Sequence, residues 1–467
     1  MRRAILYKDL FMKGASHFKA EMRFAQYLIA LLLIVSPAAT ALDLGLPSPA
    51  SPADFIETDS KQNRLGQLLF FDPILSGNKN IACSTCHHPN FATADGVSLS
   101  LGEGGEGLGP KRLPVVGKNR PEQRIPRNAP ALFNLGAKEF QVMFHDGRLE
   151  ADSKRSSGIR TPLDDEMMLG FDSVLSAQSM FPVLSPDEMA GHYSENEISK
   201  AVRMGLITGP DGAWQKISER VQKIPEYVAL FQEAVPTVEK ASDIDFTDIS
   251  NVLASFIASE WTAVNSPFDL FLNGDKGAIS DQAKQGMKLF YGKANCSSCH
   301  SGTFQTDHSF HSIAVPEFGP GKIGRFESVP EDLGRMRVTG KEQDRYKFRT
   351  PSLRNVELTS PYGHNGAFAT LRSVVEHHLN PAASLAKYSF DELILLPLEE
   401  QDSKDLDIER FNSRIKPLLK STGLKPIQLS KIEVEQLIAF LVTLTDINRG
   451  KGILGTPKKV PSGLPVE

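Results

Sequence analysis

The chain has 467 residues, 40% of them hydrophobic and 23% charged, with a formal net charge of −4. That balance is ordinary for a soluble globular protein, and the length exceeds one comfortable core, so two or three domains are expected. The charge gives no case for nucleic-acid binding. At the N-terminus Arg23 precedes the apolar run from Leu28 to Val35, and Ala39-Thr40-Ala41 offers a small-x-small cleavage site before Leu42. Residues 1–41 are therefore read as a signal peptide, with Met22 a better start than Met1. The run is short for a bilayer span, although an uncleaved anchor is the alternative. No other segment reads as a span, so none is expected after signal cleavage. Residues 42–58, rich in Pro, Ser and Ala, read as a linker.

A short amphipathic helix is expected over residues 63–71, stopped by Asp72-Pro73. Immediately after it stands Cys83-Ser84-Thr85-Cys86-His87, and a second pentad, Cys296-Ser297-Ser298-Cys299-His300, uses the only other two cysteines. This is the pattern of c-type haem attachment. Two cysteines three apart on one helical turn reach the two vinyl edges of the porphyrin, and the next residue sits under the iron as an axial ligand. Two bland readings compete: four cysteines around one zinc, or dithiol redox pairs. Neither explains a histidine directly after both pairs. Two covalent haem c groups also suit export, because c-type haem is attached outside the bacterial cytoplasm, and a periplasmic location follows.

Further along, residues 95–130 lack periodicity and read as a long loop, and residues 150–187 as irregular chain. Helical patterns resume near Glu188 and run with breaks to about Val264, and Ser266-Pro267 marks a boundary. Helices are expected over 281–291, leading into the second pentad, and over 370–379 and 431–445. Residues 301–350 read as Gly- and charge-rich loops. Strand signals are sparse. The fold class is mainly α: two cytochrome c-like haem domains, 59–265 and 266–450, with long irregular loops and a tail at 451–467. A short helix before each pentad is the extent of the internal repetition.

Several motifs stand in a fixed order: Leu69-Phe70-Phe71-Asp72-Pro73, Pro126-Arg127-Asn128-Ala129-Pro130, Asp146-Gly147-Arg148, Pro186-Asp187-Glu188-Met189, Ser266-Pro267-Phe268-Asp269, Thr350-Pro351-Ser352-Leu353-Arg354-Asn355 and Pro361-Tyr362-Gly363-His364. Together they resemble the bacterial di-haem cytochrome c peroxidases and their relative, the methylamine utilisation protein MauG, over roughly residues 60–450. Insertions near 100–125 and 150–177 lengthen this chain. The resemblance implies reduction of hydrogen peroxide at the N-terminal haem with electrons arriving through the C-terminal haem, from a small cytochrome c or copper protein. In the MauG branch it implies oxidation of residues of a partner protein instead.

The resemblance also assigns residues. Gln178 and Glu188 would stand over the open face of the N-terminal haem, the amide orienting peroxide and the carboxylate moving its proton. Read locally, Ser185-Pro186-Asp187-Glu188 is a capping box with Pro at the first helical position. In peroxidases that need reductive activation a loop histidine blocks the N-terminal iron. Here no histidine lies between His88 and His145, and Glu103, near the expected place, reads as a solvated loop acid. The first haem should therefore be open. Fourteen residues after His364, where peroxidases place a methionine and MauG a tyrosine, stands His378, on the apolar stripe of Leu371, Val374, Val375 and Leu379. It is expected to be the sixth ligand of the C-terminal iron, opposite His300, with His377 pointing away. His145 takes the place of the tryptophan that the family sets between the haems. A calcium ion is implied at Asn128, Thr359 and Pro361, and His364 would support a haem edge or propionate. His192, His308 and His311 have no assigned role and default to surface histidines. A di-haem electron carrier with two six-coordinate irons and no peroxide chemistry is the reading from another class.

Overall fold

The computed structural model describes residues 44–322 and 330–466; the expected signal peptide lies outside them. The helices that build the core and the site are α1 (Ser60–Phe70), α2 (Val174–Ser179), α3 (Ala213–Gln222), α4 (Pro225–Ala234), α5 (Phe246–Glu260), α6 (Asp281–Phe290), α7 (Leu371–Leu379), α8 (Ile408–Ser421) and α9 (Lys431–Val442). Among the described residues the strands are two or three residues long and pair as small antiparallel ribbons. No helix among the described residues is long and apolar enough to cross a membrane.

Two helix crossings organise these elements. α1 is capped by Asp59, whose side chain accepts the Lys61 and Gln62 amides, and α6 by Ser280, which accepts the Ala283 amide. Each helix then packs on the last long helix of its half, α1 on α5 and α6 on α9. The backbones touch. A methyl group on Gly66 would stand 1.9 Å from the Val252 carbonyl oxygen, and one on Gly286 would stand 1.8 Å from that of Gln436. Only glycine permits either approach. One turn later the aromatic contacts repeat as well: Phe70 meets Phe256 at 5.3 Å and 58°, and Phe290 meets Phe440 at 5.1 Å and 60°. The internal repeat is thus longer than the sequence reading found. Gly66-x-x-Leu69-Phe70-Phe71 answers to Gly286-x-x-Leu289-Phe290-Tyr291.

The ends of the chain depart from expectation. The linker packs rather than dangles: Ala50 and Phe55 are buried, the Ala50 amide donates to Asp269 at 3.0 Å, and Phe55 meets Phe304 edge-on at 5.7 Å. The tail returns to the first half. The Glu260 carboxylate, at the end of α5, accepts the Leu454 and Gly455 amides at 2.8 Å each, and Asp72 accepts the Ser462 hydroxyl at 2.6 Å and that of Tyr227 on α4 at 2.6 Å. From Leu46 onward the chain holds together as one unit. The stretch read as irregular, 150–187, contains α2 and parts of a three-stranded ribbon (Val142–Met143, Leu149–Ala151, Ile159–Arg160). α8 was not foreseen: it is charged and carries Pro417 inside it.

The crossings yield a direct test. Gly286→Val would place a branched side chain where the α9 backbone lies and is expected to lower stability by about 2–3 kcal/mol, read as a shifted denaturant midpoint with an unchanged slope. An unmoved midpoint would show that the two helices can separate freely.

Candidate active site

Cys83–Cys86 form one helical turn and Cys296–Ser298 a 3-10 turn. In both pentads the histidine amide donates to the first cysteine's carbonyl, at 3.0 Å for His87 and 2.9 Å for His300. The ring Nδ1 then stands beside a following backbone carbonyl, 3.0 Å from Thr93 for His87 and 3.1 Å from Gln305 for His300. A bond from Nδ1–H fixes the tautomer and leaves the Nε2 lone pair for a metal. No cysteine is in a disulfide, and burial pushes the Cys83, Cys86 and Cys296 thiols up to about 12. Such thiols are unlike the low-pKa thiolates of redox pairs. The four sulfurs are also not gathered together: among the described residues the one group of three ligand-type side chains is Cys299, Asp307 and His311. The pentads therefore suit thioether attachment of haem better than a shared zinc.

The second pentad faces α7. The His300 and His378 rings are 6.4 Å apart, centre to centre. Two imidazoles bound to opposite sides of one metal at about 2.0 Å per bond would have centres about 6.3 Å apart, so one ion fits between them. The Nδ1 of His378 is 2.7 Å from the Val374 carbonyl one turn back, which turns Nε2 outward, and burial lowers the pKa of the ring. His377 is spent elsewhere. Its Nδ1 meets the Ser384 hydroxyl at 3.0 Å, its Nε2 meets the Ile313 carbonyl at 2.7 Å, and it is fully buried.

Around the first pentad no such histidine partner stands among the described residues. Glu188 lies in a single π-helical turn, Pro186–Ala190, a local irregularity common at functional sites. The capping box does not form: the Ser185 side chain makes no cap bond, while its carbonyl accepts the amides of Glu188, Met189 and Ala190. Burial raises the pKa of Glu188, and Lys322, Arg148 and the Ser185 hydroxyl pull it back down. The carboxylate is near enough to Cys86 to add to the burial and the Asp95 charge that raise that thiol. Gln178 lies in the last turn of α2, and its side-chain amide makes no hydrogen bond among the described residues. The segment that carries both is pinned between them. Phe181 packs edge-on against Phe144 and Trp214, and the Trp214 indole donates to the Met180 carbonyl at 2.9 Å.

Glu103 is not a solvated acid. It is 3% exposed, and its Oε1 accepts the Asn78 and Asn80 amides at 2.9 and 2.8 Å. The Glu103 amide donates to the Asp187 carbonyl at 2.9 Å, and the Arg112 guanidinium donates to the carbonyls of Leu101, Gly102 and Gly107. The loop is thereby anchored to the turn that carries Glu188. The three unassigned histidines also have partners: His192 with Glu195, His308 with Glu139 and His311 with Asp307.

Sequence motifs distant in the chain meet where the halves join. Arg127 donates to Asp332 through Nε and Nη2 at 2.6 and 2.9 Å and to Asp146 at 2.8 Å, and all three are buried. His145 is beside them. Its Nε2 is 3.3 Å from the Asn128 carbonyl, its own carbonyl accepts the Arg349 amide at 2.8 Å, and burial with the nearby Arg127 lowers its pKa to about 4, so the ring is neutral. Asn128 donates its backbone amide to His364 at 2.9 Å and its side-chain amide to Val97 at 2.8 Å, while the Thr359 hydroxyl donates to Val356 at 3.3 Å. His364 stacks on Phe348 at 3.6 Å. The sequence reading named Arg127 and Asp146 only as motif letters and missed Asp332 altogether.

Helical halves that each present a Cys-x-x-Cys-His turn define a di-haem c-type class, and comparison with known proteins narrows it. A family model described as di-haem cytochrome c peroxidase matches residues 60–277. The methylamine utilization protein MauG of Methylorubrum extorquens is 30% identical over 355 residues, covering 75% of this chain and 77% of that one. The cytochrome-c peroxidase IdrP2 of a Pseudomonas species is 27% identical over 438 residues, covering 90% of both chains. Among solved structures, the diheme peroxidase BthA of Burkholderia thailandensis shares the fold at TM-score 0.55 and 22% identity, covering 87% of this chain and 93% of that one. The chain belongs to the di-haem cytochrome c peroxidase and MauG family, and it is an oxidoreductase of the peroxidase type.

The buried Arg127 cluster predicts an acid dependence. Burial opposes the charge on Asp146, yet Arg127 and Arg148 overcome it and hold the carboxyl at about 2; Asp332 is held below the usual range by Arg127. Stability from these depressed carboxylates is complete above about pH 4 and is lost as pH falls toward their folded values. Arg127→Met is expected to cost about 3–5 kcal/mol at neutral pH, and the gap to the parent should narrow below pH 4 in denaturation curves. A gap independent of pH would mean that other partners hold the guanidinium.

Proposed function

We propose that this chain is an exported, periplasmic enzyme that reacts with hydrogen peroxide at the haem on the first pentad, with the haem on the second pentad as its electron-transfer centre. One observation carries the reading: the two pentads are alike in their turns and unlike in what faces them. His300 looks onto His378, which supports a six-coordinate iron. The first pentad has Glu188 nearby and no facing histidine among the described residues, which supports an iron with an open position. A plain electron carrier would need neither the asymmetry nor a half-buried carboxylate.

The haem that Cys83 and Cys86 would hold would supply the iron that reduces the peroxide O–O bond, and the haem that Cys296 and Cys299 would hold would relay electrons to it. The chain supplies the proton handling. Glu188 accepts a proton from one peroxide oxygen and returns it to the other, so that water can leave. Gln178, whose amide is uncommitted, orients the peroxide. Two electrons and two further protons complete reduction to two waters. His145, neutral and between the halves, keeps the hydrogen-bonded path from Asn128 to Arg349 continuous. The repeated helix crossings support two haem domains, 59–265 and 266–450. The calcium site at Asn128, Thr359 and Pro361 belongs to the same reading; its support is that Asn128 is tied to the loop that carries Pro361.

Electrons would come from a small cytochrome c or copper protein. Ligation by two histidines gives a lower potential than histidine with methionine, which favours holding oxidised iron. That feature supports the second reading, a MauG-like oxidation of a partner protein.

Three measurements test the assignment. The intact mass of matured protein should show loss of residues 1–41 and two covalent haems, and Cys296→Ala with Cys299→Ala should remove one; fewer than two haems in the parent would end the di-haem reading. His378→Gly should turn one haem from low-spin to high-spin and leave the other unchanged, and Glu188→Gln should slow peroxide turnover by roughly two to four orders of magnitude with both haems retained. A C-terminal haem that stays low-spin in His378→Gly would remove that residue from the iron.

A further inference from the structure

The turn that carries Glu188 is gripped at both ends. At its start the Glu103 amide donates to the Asp187 carbonyl at 2.9 Å. Gly102 lies so close that a methyl group there would stand 2.2 Å from the Asp187 carbonyl oxygen and 2.9 Å from the Glu188 Cα. At its end the Gly77 amide donates to the Met189 carbonyl at 2.7 Å, and the Asn196 side-chain amide donates to the Ala190 carbonyl at 3.0 Å. The two grips are locked to each other by one carboxylate. Glu103 Oε1 accepts the side-chain amides of Asn78 and Asn80 at 2.9 and 2.8 Å, and the Asn78 side-chain oxygen accepts the Asn196 amide at 2.9 Å. Within the loop, the buried Arg112 guanidinium donates to the Leu101 and Gly102 carbonyls at 2.5 and 2.7 Å, so the grip at the start of the turn is itself fixed.

These contacts work against the local sequence. In the capping box that Ser185-Pro186-Asp187-Glu188 allows, the Glu188 side chain would fold back onto the Ser185 amide. The backbone takes a π turn instead, a conformation that is rare on its own. We propose that Glu103 is a positioning residue for Glu188: by closing residues 101–103 onto residues 77–80 it holds the Pro186–Ala190 turn in its π form and keeps the Glu188 side chain from folding back into a capping box. This rests on the acid–base reading of Glu188 given above and adds what fixes that carboxylate in place. Glu103 touches no reacting atom in this scheme. Only one of its oxygens is used. Oε2 is buried with no hydrogen-bond partner, so the clamp needs an acceptor rather than a charge.

The test uses haem-loaded, full-length protein and two readouts: amide hydrogen exchange at Glu188, Met189 and Ala190, and the rate of reaction with peroxide. Glu103→Ala removes the acceptor. It should raise exchange at these amides by roughly tenfold or more and slow the peroxide reaction by about a hundredfold with both haems retained. Glu103→Gln keeps the acceptor and should stay near the parent in both. Gly102→Ala presses on the same turn without touching the carboxylate and should repeat the Glu103→Ala pattern. In a Glu188→Gln background, Glu103→Ala should slow the reaction no further, because the clamp acts only through Glu188. The proposal fails if Glu103→Ala leaves exchange at the turn unchanged, if Glu103→Gln is as slow as Glu103→Ala, or if the slowing persists in the Glu188→Gln background. If exchange rises in Glu103→Ala while Glu188→Gln reacts as fast as the parent, the clamp stands and the acid–base reading of Glu188 is the part that fails.

Discussion

A single guanidinium, that of Arg127, is shared between carboxylates of the two halves, and the relative placement of everything between the pentads depends on it. Asp146 comes from the first half and Asp332 from the second, and neither is exposed enough for water to substitute. Burying three charges is costly, and the cost is recovered only when every donor finds its acceptor in good geometry. That makes the junction intolerant of sliding. Ridges of apolar side chains can shift by small amounts at little penalty; a bidentate arginine cannot. The fixed junction holds His145 against Asn128 and Arg349 and holds His364 on Phe348.

The same constraint explains why short motifs stand so far apart in the sequence. Pro126-Arg127-Asn128 and Asp146-Gly147-Arg148 are one structure once the chain is folded. Arg127 grips Asp146, Arg148 braces the same carboxylate from above the Phe144 ring, and Asn128 ties the loop to His364.

Much of the fold and part of the site could be read from the sequence. The pentads were legible because covalent attachment imposes fixed spacing, α1, α6 and α7 because amphipathic helices print their period on the chain, and α9 because an apolar run follows the Ser430 cap. His378 stood out because its helix stripe and its register agreed, and its ring stands 6.4 Å from that of His300. What escaped depends on contacts that leave no local trace. Asp332 is one acid among many until Arg127 is placed beside it. Glu103 looks like any acid in a glycine-rich loop until Asn78 and Asn80, more than twenty residues earlier, close over it. The capping box at Ser185 satisfied every local rule, yet the backbone took a π turn because Ser185 offers its carbonyl to three amides at once. Gly66 and Gly286 each look like a weak point in a helix; only the neighbouring backbone shows that nothing larger fits.

The return of the C-terminal tail bears on the order in which the molecule can be finished. Glu260 and Asp72 are carboxylates of the first half that receive donors from residues 454–462, which are translated after both pentads. Until then α5 ends in an uncompensated charge, and the turn after α1 that leads into Cys83 lacks its outer clasp. The contacts at Glu260 and Asp72 therefore form only once the stretch beyond residue 453 is in place. A chain cut short before residue 454 would keep both pentads yet leave the Glu260 and Asp72 carboxylates without these donors.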